Sequence, residues 1–74
     1  MMNDETMKYI ISRVIDNAND CKKDYEKDKN DKFNNGRALA YYEVLDTIKS
    51  ELYAHDEDLS EFGLDIDLEK TFLE

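Results

Sequence analysis

Asp56, Asp58 and Ser60 stand at alternate positions, the spacing with which a calcium loop of the EF-hand type presents its first three oxygen ligands. The rest of that loop is missing. Its sixth position needs glycine for a sharp turn and is Glu61, and its twelfth needs a bidentate glutamate and is Asp67. No metal site and no cofactor are expected. His55 is the one histidine and Cys21 the one cysteine. That is too sparse for a closed zinc site and leaves no disulfide. His55 falls at an expected helix end among acids, where a solvated cation is favoured. Cys21 falls within an apolar stripe, which predicts a small buried hydrophobe rather than a reactive thiol. Nothing in the chain pairs a nucleophile with a base or a metal, so it is not expected to be an enzyme.

The acids carry the other candidate chemistry. Residues 55–74 hold eight acids against Lys70 alone, a balance of -7, while residues 1–54 hold eleven acids against nine bases. Leu59, Phe62, Leu64, Ile66, Leu68, Phe72 and Leu73 are threaded between those carboxylates, so the segment is expected to dock on something. Two readings stay open. In one, carboxylates held on a rigid surface imitate nucleic-acid phosphates and occupy the basic groove of a nucleic-acid-binding protein. In the other, the apolar residues fold back over the body and the acids face water for solubility. The candidate partner-binding residues are Asp56, Glu57, Asp58, Glu61, Asp65, Asp67 and Glu69, joined by Tyr42 and Tyr53, since exposed tyrosines favour protein interfaces.

Positioning these groups falls to helices. The chain has 74 residues, no proline, two glycines and 39% charged residues, a composition that points to an all-α fold. Met7, Ile11, Val14, Ala18, Cys21 and Tyr25 step by fours and threes, which predicts a first helix from about Asp4 to about Asp28, capped by Asn3 or Asp4. Ile10 and Ile15 widen its stripe. Lys22 with Glu26 and Asp24 with Lys27 are spaced for ion pairs along its last turns. Asn30, Asp31, Asn34, Asn35 and Gly36 favour a turn, and the second helix is expected from about Asn35 to Ala54, with a start at Asp31 as the alternative. Its stripe is Ala38, Tyr41, Leu45, Ile48 and Leu52. Tyr41 and Tyr42 point about 100° apart on a helix, so one should serve the hairpin and the other a third segment or a second chain.

A short polar turn makes the two helices an antiparallel hairpin, in which Ala18 and Cys21 face Tyr41 and Ala38. Beyond it, residues 58–74 should form an acidic amphipathic extension: one turn at Leu59 to Phe62, a stop at Gly63, an extended link, and a short helix from about Asp67 to Leu73. The whole is expected to be a single domain. A chain this small buries only ~60% of its unfolded surface, so dimerisation into a four-helix bundle is the expected added support. No apolar run approaches the ~18 residues of a membrane span, and no signal peptide is evident, so a soluble, cytoplasmic location is the expectation. No membrane partner is expected, and a net charge of -9 argues against direct nucleic-acid binding and for a neutral or basic protein partner.

Gly36-Arg37, then Ala40-Tyr41-Tyr42-Glu43-Val44-Leu45-Asp46, then Glu61-Phe62-Gly63-Leu64-Asp65 resemble a group of small acidic proteins of unknown function from phages, prophages and transposons of Gram-positive bacteria. The resemblance covers roughly the second half of the chain and carries no residue roles with it. It implies a mobile-element origin, where small proteins commonly bind a host or rival protein. An anti-defence or anti-CRISPR inhibitor is the more specific form of that implication.

Overall fold

The computed structural model describes residues 4–74. Its elements are α1 (Asp4–Lys27), α2 (Lys32–Ala54), a 3-10 turn (Leu59–Phe62) and α3 (Leu68–Phe72), with no strand among the described residues. None of the described helices is long and apolar enough to cross a membrane.

In α1, Asp4 and Glu5 occupy the first turn and Lys27 the last, each matched in sign to its end of the helix dipole. The expectation that Asn3 caps α1 falls outside the described residues, and Asp4 is already helical. The start of α2 follows the alternative at Asp31 rather than the one expected at Asn35. Asp31, not Asn34 or Asn35, is the cap, its carboxylate accepting from the amides of Phe33 at 2.9 Å and Asn34 at 3.4 Å. A carboxylate one turn earlier satisfies free amides that the asparagines would otherwise have to serve, and Gly36 is absorbed into the helix at about 1 kcal/mol relative to alanine.

The two stripes meet as their spacing requires. Ile11, Ala18 and Cys21 of α1 and Ala38 and Leu45 of α2 are buried, with Met7, Val14, Tyr25, Tyr41, Ile48 and Leu52 half-buried around them. Cys21 is a core residue and His55 is the exposed C-cap of α2. Lys22 and Glu26 approach to 4.0 Å as expected, whereas Asp24 reaches across the hairpin to Arg37 Nη1 at 3.2 Å. That bond holds the Arg37 guanidinium above its ordinary pKa.

The extension is a third layer rather than a cover. Phe62, Leu64, Leu68 and Phe72 supply four of the nine buried apolar residues among those described, and Leu64 is 0% exposed. Burying four such side chains contributes several kcal/mol, at about 2 kcal/mol each. Lys8 tacks the segment to α1, its ammonium 3.4 Å from Glu61 and 5.8 Å from the centre of the Phe62 ring. Gly63 ends the 3-10 turn in the left-handed region, with φ of 72°. The chain then crosses α2, where the Lys49 ammonium donates to the Ile66 carbonyl. Asp67 caps α3 by accepting from the Lys70 amide at 3.1 Å.

Candidate functional site

Between α2 and the extension lies an open cleft of about 590 Å³. From α2 it is lined by Tyr42, Asp46, Lys49 and Tyr53, and from the extension by Asp65, Asp67 and Glu69 over a floor of Leu59, Ile66 and Leu68. The positions 42, 46, 49 and 53 step by four, three and four, so one face of α2 presents all four side chains to the same side. On the extension, Asp65 and Asp67 flank Ile66, whose carbonyl is held by Lys49, and Asp67 is further fixed as the α3 cap. The rim is thus built on bonded backbone at two points.

Four carboxylates face the cleft against the single ammonium of Lys49, so the local field is negative. Tyr42 registers that field. Its phenol is pushed above the ordinary value of 10.0, first by Asp46, then by desolvation, then by Glu69 and Asp67. Tyr53 is 75% exposed at the edge. Carboxylates beside two aromatic rings suit a cation, through ion pairing and through attraction to the ring faces. Among the described residues, no three histidine, cysteine or acidic side chains come close enough to share a metal ion.

The residues singled out from sequence divide into two groups. Tyr42, Tyr53, Asp65, Asp67 and Glu69 are brought together in the cleft. Asp56, Glu57, Asp58 and Glu61 are not. Asp56 lies beyond the end of α2 with φ of 60°. Asp58 caps the 3-10 turn, accepting from the Ser60 amide at 3.0 Å and hydroxyl at 2.7 Å, bonds that hold its carboxyl below the usual range. Glu61 pairs with Lys8, and Glu57 borders a separate apolar groove beside Met7, Ile48 and Leu52. Asp46 and Lys49 are cleft residues that charge-counting passed over because they precede the acidic segment. Their signal was the helical spacing from Tyr42 to Tyr53.

A scan against protein-family models, a search of curated proteins and a search of solved structures each find no match to this chain.

Proposed function

We propose that the chain is a non-catalytic, acidic protein-binding module of phage or mobile-element origin, acting in the cytoplasm as a homodimer by occupying the surface of a basic partner protein. The observation that carries this reading is the Tyr42 phenol standing among Asp46, Glu69 and Asp67 in an open cleft whose lysine is already engaged. An arginine or lysine of the partner would enter that cleft, its charge met by the carboxylates and its stem covering Leu59 and Ile66. Dimerisation into a four-helix bundle would add the buried area that a 74-residue chain lacks.

The test is capture of host proteins on the immobilised chain at about 0.1 M and about 1 M salt, where the screening length falls from ~10 Å to ~3 Å. A basic protein should be retained at the lower concentration only, and lost when Asp46, Asp65, Asp67 and Glu69 are neutralised together. Retention unaffected by those four changes would defeat the reading.

A second reading, inhibition by nucleic-acid mimicry, is favoured by the two bonded anchors that hold Asp65 and Asp67 in place. It adds one requirement: duplex DNA or RNA must displace the chain from its partner. Failure of that competition would exclude mimicry and leave the binding module standing.

A further inference from the structure

The extension packs over one side of the hairpin only. Ile15 of α1 lies against Gly63 and Lys49 of α2 holds Ile66. Five residues before each, Ile10 and Val44 lie about 140° round their helix axes, at 100° per residue, and both remain open, at 42% and 49% exposed. On α2 this uncovered ridge runs Arg37, Ala40, Val44, Thr47 and Glu51, a three-four step displaced by one residue from the buried seam. The apolar groove of about 410 Å³ beside Met7 and Ile48 continues it toward the end of the hairpin.

We infer that this ridge is the contact between two copies of the chain, packed α2 against α2 in antiparallel fashion about a two-fold axis at Val44. The inference rests on the self-association proposed above and assigns its surface. Three observations select a second copy as the occupant. The ridge is self-complementary in charge: Arg37 lies seven residues before Val44 and Glu51 seven after, so antiparallel pairing at Val44 sets Arg37 of each copy level with Glu51 of the other. Its centre is also small and uncharged, with Ala40, Val44 and Thr47 between Arg37 and Glu51, so two such ridges can approach closely. Finally, the rod is 39 Å long and 16 to 19 Å across, long and broad enough for a second α2, about 10 Å in diameter, to lie along it. The repelling acids of the cleft, Asp65, Asp67 and Glu69, stay on the opposite side.

The test is sedimentation of the full chain at high micromolar concentration. The wild type should sediment at twice the 8.7 kDa of one chain. Val44→Glu should sediment as a monomer with an unchanged helical spectrum, because Val44 is half exposed within one copy. Arg37→Glu should also dissociate, and adding Glu51→Arg to it should restore the dimer. That rescue separates the two roles of Arg37, since Asp24, its partner within the chain, gains nothing from a change at Glu51, ~21 Å away along α2. A strict wild-type monomer would overturn both self-association and this surface. A dimer that survives Val44→Glu, or is not restored by the paired exchange, would overturn the surface alone.

Discussion

The backbone of Gly63 runs beside the tip of Ile15, so that a β-carbon placed on the glycine would lie 3.6 Å from Ile15 Cδ1. That is ordinary contact, and space does not exclude a side chain there. Conformation does: Gly63 has φ of 72°, where an L side chain meets its own carbonyl. Gly63→Ala should therefore destabilise the fold by about 1 kcal/mol. Gly36 is the contrast, a helical glycine with nothing within 4 Å of the added carbon. Gly36→Ala should stabilise by about 1 kcal/mol. Urea midpoints for the two variants should move in opposite directions, and movement the same way would sink the conformational argument.

Asp56 is a position where the natural residue is not the most stable one. The amide of Glu57 bonds the Leu52 carbonyl at 2.9 Å and that of Asp56 the Tyr53 carbonyl at 3.1 Å, the pair of bonds that closes a helix over a left-handed residue. Asp56 supplies that conformation with φ of 60°, and adds a negative charge to the negative end of α2. Asp56→Gly should raise stability by about 0.5 to 1 kcal/mol. Thermal melting would check it, with an unchanged or lower midpoint counting against the cap.

Leu64 tests whether the extension belongs to the domain. It is as buried as Leu45, both at 0% exposure, although it lies outside every helix. Leu64→Ala and Leu45→Ala should each destabilise by about 3 kcal/mol, a large part of what a small domain possesses. Each should melt in one transition followed by helical signal. If Leu64→Ala left the hairpin's transition unmoved, the third layer would be peripheral.

Asp58 gives stability a dependence on acid. Its carboxyl is held below the ordinary range by the Ser60 hydroxyl and amide, so it binds a proton less readily folded than unfolded. The contribution is therefore complete above the unfolded value near pH 4 and is lost as pH falls through the lower folded value. Asp58→Ala should be less stable than wild type at pH 7, with the difference closing below about pH 4. Comparing urea midpoints at the two ends of that range would show it, and a gap independent of pH would remove the role of the carboxylate.

Much of the architecture was legible residue by residue. Every position of the two seams, from Met7 to Tyr25 and from Ala38 to Leu52, is at least half-buried, because a three-four step leaves a helix no other way to hide its apolar side chains. The stop at Gly63 and the helix at Leu68 followed from similarly local chemistry. The start of α2 was less readable. Asp31, Asn34 and Asn35 are all competent caps, and the choice depends on which side-chain oxygen reaches the free amides once the turn is closed. The spacing of Asp24 suits Lys27, yet its carboxylate bonds Arg37, which only the closed hairpin brings within reach.

What the amino-acid order determined by itself was periodicity and charge: two amphipathic helices, a short turn between them, and an acidic segment too apolar to stay in water. Those are local properties, set by side-chain spacing within a few turns of backbone. The assembly of a site was decided in three dimensions. The fold divided one run of acids, giving Asp58 and Glu61 to the turn and to α1, and setting Asp65, Asp67 and Glu69 opposite Tyr42, Asp46 and Tyr53. The physical reason is the path of the extension, which Phe62 and Leu64 pin into the core and Lys49 holds at Ile66, so that buried groups distant in sequence choose which carboxylates become neighbours.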